Sequence, residues 1–482
     1  MESSDSSEAS TSTSAPTLTK KRSSRKVVSG SYGQVLIDDA AATVVKRTTL
    51  AYADHKGTVL SPNLTEAAMT AYLGPGGHGV AGLIRYRGAR MADLDIIEVV
   101  SDRAPLGDLQ SYMHRTPTAR RMAVVDKLMD CLVATLNGMH ACGVMHGDLK
   151  PGNVVVLDDS IDRFEVAIID LGSCHPFGRR QGDQAHRQMC TYPYAPPEMF
   201  DGALQDADTL PLTDAYSLGA LLFEFVYGST VYDYTKIRSF ESVRALHRAA
   251  GPNGVANLGA PRGAAELPPG CPTRVAAAMA GLLDPCPVSR CSVAELYFPM
   301  QSPPYRLRIA DAPADAVLEG WGSRRNAAVD FLARSAEDCE TLALACSLAD
   351  RYVAATGEPC CRAYLTACTA AACALLAGED KVLLAGEMRA LAEVASVLRF
   401  DLLVDTCDVA LLSNGYGNLD FDALVLAIKV ASDGSTMGAA AAYVLIVVAK
   451  AAAAAALATA AAAATRTKGP MTRKRTRLMA AA

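Results

Sequence analysis

From Val27 to about Val100 the apolar residues come in short runs, Val44-Val45 and Ile96-Ile97 among them, and such runs predict β-strands. One stretch breaks the pattern: after Pro62, Thr65-Glu66-Ala67-Ala68-Met69 predicts a helix that opens at the proline. The period then changes. Between Ala119 and Cys142, Met122, Val125, Leu128, Met129, Leu132, Leu136 and Met139 recur at three- and four-residue steps, the stripe of one long amphipathic helix. Helical spacing continues through Leu218-Gly219-Ala220-Leu221-Leu222-Phe223 and on to Leu296. The fold class this implies is α+β and bilobal: a small, mostly β lobe over 27–100 and a larger helical lobe over 101–300. A Pro-containing linker (301–322), an all-α helical domain (323–430) and an alanine-rich helix with a basic tail (431–482) are expected to follow.

Composition narrows the setting. Half of the 482 residues are apolar and a fifth are charged, enough for large buried cores, and a net charge of −5 gives no whole-protein field for nucleic acid. Residues 1–26 are Ser/Thr/Lys-rich with almost no large apolar side chain and are expected to be disordered. Basic clusters stand at both ends, Lys20-Lys21-Arg22 with Arg25-Lys26 and Arg473-Lys474-Arg475 with Arg477; they read as solvated tails or as nuclear-import signals. The 14 cysteines include no Cys-x-x-Cys pair, and Cys346, Cys368 and Cys373 lie in apolar helical stretches, so reduced thiols and no zinc site are expected. No secretory signal pattern opens the chain, and the apolar stretch Met437–Ala464 carries Lys450 at its middle, which favours an alanine-rich helix over a membrane span. An intracellular location, with the nucleus as one option, is expected.

The densest chemistry is His146-Gly147-Asp148-Leu149-Lys150-Pro151-Gly152-Asn153, placed after the long helix and before Val154-Val155-Val156. Transfer of a phosphoryl group to a hydroxyl needs a carboxylate to orient and deprotonate the acceptor, for which Asp148 is the candidate. Lys150 can neutralise the migrating group, and Asn153 offers a neutral oxygen to Mg²⁺. In Ile168-Ile169-Asp170-Leu171-Gly172 a carboxylate ends an apolar strand, suited to a second metal contact. Upstream, Gly30-Ser31-Tyr32-Gly33-Gln34-Val35 resembles a hairpin that can cover phosphates, Lys46 in Val44-Val45-Lys46 can reach them, and Glu66 is the natural partner of that lysine.

These motifs, with Thr191-Tyr192-Pro193-Tyr194-Ala195-Pro196-Pro197-Glu198, resemble the eukaryotic protein kinase superfamily over roughly 27–300. The resemblance implies a bilobal kinase fold, ATP and Mg²⁺ as cofactors, and protein substrates. It implies Asp148, Lys150 and Thr191 as catalytic residues and Asn153 and Asp170 as metal ligands. Val28, Gly30, Gly33, Val35, Lys46, Glu66 and Glu98 are the implied ATP-binding set, and Lys150 marks serine/threonine specificity. It also implies a buried Glu198–Arg290 ion pair and an Asp214 that braces the catalytic loop. Val28 stands where the family's first loop glycine belongs, and Gly147 where an arginine usually precedes the catalytic aspartate. That arginine pairs with a phosphorylated activation loop, so this chain is expected not to depend on that switch. The helix from Pro62 is similar to that of cyclin-dependent kinases, although Ala195 replaces the arginine of their substrate loop.

Arg325, Val329-Asp330-Phe331-Leu332, Glu340-Thr341-Leu342-Ala343-Leu344-Ala345, Leu348-Ala349-Asp350-Arg351-Tyr352, Thr369–Ala377 and Val397-Leu398-Arg399-Phe400-Asp401-Leu402 resemble the helices of a cyclin box. That likeness implies a buried Arg325–Asp350 pair and a cis regulator acting on the helix that bears Glu66. Glu379 and Leu391 stand where a partner-contacting Lys and Glu are usual, and Arg324 and Phe331 alter the substrate-docking patch. Rival readings are a pseudokinase scaffold, a small-molecule phosphotransferase, and helices that only bind a partner. The alanine bias resembles a GC-rich genome, such as that of a large DNA virus.

Overall fold

The computed structural model describes residues 25–30, 33–54, 57–60, 63–177, 191–201, 209–231, 267–297, 315–358, 360–376, 383–404, 406, 419–430, 439–440 and 442–447. The basic residues 20–22 and 473–477, the segment 301–314 and most of the alanine-rich stretch, all expected features, lie outside the described residues.

The small lobe is a five-stranded antiparallel sheet in the order β1-β2-β3-β7-β6, formed by β1 (Arg25–Gly30), β2 (Gly33–Asp38), β3 (Thr43–Thr49), β6 (Tyr86–Asp93) and β7 (Ile96–Asp102). The first strand starts at Arg25, two residues inside the segment expected to be disordered. Strand β3 is central, and Lys46 on it faces Val35 of β2 and Val99 of β7 in register. After β3 the chain makes a separate hairpin, β4 (Ala51–Asp54) with β5 (Gly57–Leu60), before helix α1 (Asn63–Leu73). Helix α1 buries Leu64, Ala67, Ala68, Met69, Tyr72 and Leu73, which fixes the direction in which Glu66 projects.

In the larger lobe, α2 (Leu109–Arg115) is capped by Asp108, whose carboxylate accepts the Ser111 amide at 2.7 Å. Helix α3 (Thr118–Ala141) buries all seven residues of its predicted apolar stripe. Two short ladders follow, β9 (Val154–Asp158) with β10 (Glu165–Ile168), and β8 (Val144–Met145) with β11 (His175–Pro176). The lobe continues with α4 (Glu198–Asp201), the buried α5 (Leu210–Tyr227), α6 (Thr273–Leu282) and α7 (Val293–Leu296).

The remaining elements are all helices among the described residues: α8 (Asp315–Ser335), α9 (Cys339–Thr356), α10 (Arg362–Leu376), α11 (Ala385–Val397) and α12 (Phe421–Val430). The expected linker boundary is corrected, because α8 begins at Asp315. The prolines at 303, 304 and 313 masked a stripe that starts at Trp321 and continues through Arg325, Ala328 and Leu332, each no more than 6% exposed. Arg325 ties three helices together. Its Nε and Nη2 each donate to Asp350 at 2.8 Å, its Nη1 donates to the Ile428 carbonyl at 2.7 Å, and Trp321 Nε1 reaches Asp350 at 3.0 Å. Cys346, Cys368 and Cys373 are buried free thiols. Helix α10 packs against both α1 and β11, and α11 packs against β6, so the helical domain rests on the lobe that carries Glu66. Among the described residues no helix is long and apolar enough to cross a membrane.

Candidate active site

Between the sheet and the helical lobe lies a cavity of about 320 Å³. Val35, Val44, Val99, Ala104 and Val155 give it apolar walls, and Lys46, Glu66, Asn153 and Asp170 gather at its polar end. Gly33 lines the rim with φ +140°, and a Cβ there would stand 2.3 Å from the Arg47 carbonyl oxygen, so only glycine lets β2 lie this close to β3.

Lys46 Nζ sits 2.8 Å from Glu66 Oε2 and 2.9 Å from Asp170 Oδ1. The strand therefore delivers one cation to two acids brought in by different elements. Burial lowers the affinity of Lys46 for its proton, but Glu66 and Asp170 outweigh it and raise the pKa above the usual lysine value. For Glu66 burial dominates and raises the carboxyl pKa, with Lys46 opposing. For Asp170 burial also pushes upward, but Lys46, His146 and the Gly172 amide bring it below the ordinary value. Asp170 has φ 63° and ψ 79°, a left-handed backbone rare for a side-chain-bearing residue.

The loop after β8 holds the candidate base, Asp148. Asp148 Oδ1 accepts from both the amide (2.9 Å) and the hydroxyl (2.7 Å) of Thr191, and Lys150 Nζ bridges Asp148 Oδ2 (2.6 Å) and Thr191 Oγ1 (2.7 Å). Asn153 donates to the Asp148 carbonyl oxygen at 2.8 Å and to its Oδ2 at 3.2 Å, which commits the amide nitrogen of Asn153 and turns its oxygen to other partners. Fully buried Asp214 on α5 accepts the backbone amides of His146 (2.7 Å) and Gly147 (2.9 Å) and lies 2.9 Å from His140 Nε2. Burial raises the Asp214 pKa, but His140 and these donors bring it below the ordinary value. Gly147 has φ +79°, and a Cβ there would meet the Ser173 carbonyl oxygen at 2.5 Å. In the sequence that glycine was only a missing arginine; here the backbone requires it.

Glu198 and Arg290 meet as a bidentate buried pair, Oε1–Nη1 at 2.6 Å and Oε2–Nη2 at 2.9 Å. Glu98 is corrected. It lies on the opposite face of β7 from cavity-lining Val99 and Ser101, paired with Arg47 (3.0 Å) and Arg90 (2.6 Å). Strand alternation turns Glu98 away from the cavity, and the cavity wall there is Ser101, Asp102 and Ala104. Val28 pairs with Val35 and Gly30 with Gly33 across β1 and β2, while Ser31 and Tyr32 lie outside the described residues. Ile84, Tyr86, Val99 and Ser101 line the cavity without having been named from sequence; the alternation along β7 could have picked out the last two.

The protein kinase domain model matches residues 24–298, which is more than half of the chain. The chain belongs to the protein kinase family. It is 40% identical over 91 residues to serine/threonine-protein kinase Aurora-2 of Arabidopsis thaliana, covering 18% of this chain and 27% of that one. It is 31% identical over 140 residues to human serine/threonine-protein kinase 16, covering 26% and 44%, and 25% identical over 208 residues to serine/threonine-protein kinase SBK1 of Danio rerio, covering 42% and 50%. The chain thus spans half or less of the length of each of these relatives. The cavity residues suit the nucleotide and metal of the family: apolar walls for a flat base, Lys46 for phosphate oxygens, and the hard oxygen donors of Asn153 and Asp170 for Mg²⁺.

Proposed function

We propose that this kinase-family chain is an active serine/threonine protein kinase that uses ATP and Mg²⁺ and is regulated in cis by its cyclin-like helical domain. The observation that carries the reading is the link between two side-chain sets, Lys46–Glu66–Asp170 and Asp148–Lys150–Thr191, through Asn153, which lines the cavity beside the first set and donates to Asp148 of the second. Bound ATP would supply the phosphoryl group, and Mg²⁺ would offset its negative charge. Lys46, held by Glu66, orients phosphate oxygens. Asn153 and Asp170 would hold the metal. Asp148 orients the acceptor hydroxyl and takes its proton, and Lys150, already bridging Asp148 and Thr191, offsets charge beside it. Full retention of these groups disfavours a pseudokinase scaffold.

The packing of α10 on α1 and β11 supports the regulatory half of the proposal. Covering α1 favours the arrangement in which Glu66 reaches Lys46, and the tether keeps the helical domain at an effective concentration on the order of millimolar. A phosphotransfer assay on a peptide library, run on the intact chain, a 1–314 truncation that removes α8 whole, and Asp148→Ala, tests both halves. Transfer by the intact chain, none by Asp148→Ala and less by a folded truncation is the expected result. Equal rates for the intact and truncated forms would remove the regulatory reading, and no transfer by the intact chain would remove the catalytic one.

A further inference from the structure

The residues leading into β6 run parallel to the end of β10: the Ile84 amide donates to the Ile168 carbonyl at 3.0 Å and the Ile168 amide to the Gly82 carbonyl at 2.9 Å. Two positions further along each segment stand Tyr86 and Asp170, and alternation keeps Tyr86 on the same face as Ile84, toward the cavity that both line. The Ile169 amide goes to the Asn153 carbonyl at 2.9 Å. The Asp170 amide, in the left-handed turn, is directed instead at the Tyr86 hydroxyl.

A phenylalanine would suit this wall better than a tyrosine. Tyr86 is 7% exposed, and its hydroxyl oxygen is buried without a hydrogen bond of ordinary geometry, so the contact with the Asp170 amide is loose. A buried hydroxyl so poorly paired is unfavourable. Burial first, and then the charges of Glu66 and Asp170, raise its pKa well above the ordinary tyrosine value, so it keeps its proton. Those two acids share one cation, Lys46, and the hydroxyl therefore stands beside an excess of negative charge. Its place next to Asp170 says what it is for.

We infer that Tyr86 is a positioning residue for metal binding: its hydroxyl holds the Asp170 amide, and with it the left-handed turn that presents the Asp170 carboxylate to the cavity. The inference rests on the kinase reading above, in which Asp170 holds Mg²⁺. A left-handed backbone is unfavourable for a residue with a side chain, and a ligand group whose backbone is held beforehand has less to reorganise on binding. Binding tightens the contact, as hydrogen bonds of an active site often do. A tyrosine at 86 thus lowers the stability of the free protein and raises the affinity for the metal.

The test compares the intact chain with Tyr86→Phe, which keeps the ring and loses only the hydroxyl. Affinity for an ATP analogue with an imido bridge between the β- and γ-phosphates is measured by calorimetry in EDTA and in saturating MgCl₂, so that no turnover enters. In the unaltered chain Mg²⁺ should tighten the nucleotide. In Tyr86→Phe the affinity in EDTA should be unchanged and the gain from Mg²⁺ roughly fivefold smaller, the size of one hydrogen bond between neutral groups. Without nucleotide or metal the variant should melt no lower than the unaltered chain, because a poorly paired buried hydroxyl has been removed. A gain from Mg²⁺ as large as in the unaltered chain overturns the inference, and so does a parallel fall in both affinities or a lower melting temperature, the mark of a merely structural hydroxyl; each of these leaves the kinase reading standing. Absence of any gain from Mg²⁺ in the unaltered chain overturns the metal site of the kinase reading and the inference with it.

Discussion

Removal of Glu198 should be among the most destabilising single changes in the kinase domain. Glu198→Ala leaves the Arg290 guanidinium, 4% exposed, in a protein interior without its bidentate partner. The carbonyls of Asp284 and Leu212, each 2.9 Å from a guanidinium nitrogen, and the Tyr216 ring, centred 5.1 Å from Cζ, would remain. They neutralise none of the charge, so the loss should fall in the range of about 3–5 kcal/mol measured when one partner of a buried pair is deleted. At roughly 2–4 °C per kcal/mol for a domain of this size, the melting temperature should drop by on the order of 10 °C. The only tryptophan, Trp321, lies in the helical domain, so its emission follows that domain, while far-UV circular dichroism follows the whole chain. Urea melts read by both signals give the loss and show whether the two parts unfold together. The double variant Glu198→Leu/Arg290→Met removes both charges and should recover most of the stability. A single variant less than about 1 kcal/mol below the unaltered chain, or a double variant no better than the single, would refute the reasoning.

Asp148→Asn should lower the phosphotransfer rate by about 10²–10⁴-fold, as expected for loss of a general base, with ATP affinity, read by nucleotide binding, nearly unchanged. Gly147→Ala should cost at least tenfold in rate, because the left-handed backbone and the Ser173 carbonyl leave no room for a Cβ and Asp148 is the next residue; activity equal to that of the unaltered chain would show the loop has slack. Because the Glu66 carboxyl pKa is raised, the acid limb of the rate profile should lie above the ordinary glutamate value of 4.5 and move toward acid in Glu66→Gln. For stability the signs oppose. Asp170 and Asp214, with depressed folded pKa values, contribute stability that is full above about pH 3.9 and is lost as pH falls through those values. Proton binding by Glu66, whose folded pKa is raised, favours the fold below its unfolded pKa, and that contribution is lost as pH rises through the folded value.

Much of the site was legible because its chemistry is local. Asp148, Lys150 and Asn153 sit within six positions, and a rigid turn between two short strands sets their geometry, so spacing carried nearly all the information. The long helix α3 was legible for the same reason, since a seven-residue apolar stripe has one solution. Lys46, Glu66 and Asp170 are far apart in sequence and were joined only by the family's motif order, which says that they belong together and not how. Glu98 failed because a single acidic residue among the apolar positions of a strand reads the same on either face, and only cross-strand partners such as Arg47 and Arg90 show which way it points. The hairpin of β4 and β5 was hidden in a region already read as strands, and the first turns of α8 were hidden behind three prolines.

The raised pKa of Glu66 bears on why a helical domain should lie against α1. A buried carboxylate kept ionised is unfavourable, and Lys46 offsets that only while α1 holds its acid 2.8 Å from the amine. An outward swing of α1 would rehydrate Glu66, so the inward state needs a compensating gain, and the packing of α10 on α1 can provide it. Each 1.4 kcal/mol supplied by that contact shifts the ratio of inward to outward states tenfold. A contact worth only about 2–3 kcal/mol would therefore separate a kinase that is mostly assembled from one that is mostly not. Because α10 also meets β11, the strand from which the activation segment departs, one helix bears on both the acid of the small lobe and the segment that leads toward Thr191. Under the cis regulation proposed above, two contacts on one helix would couple those elements without any phosphate, which is the arrangement a chain with Gly147 in place of the phosphate-pairing arginine would need.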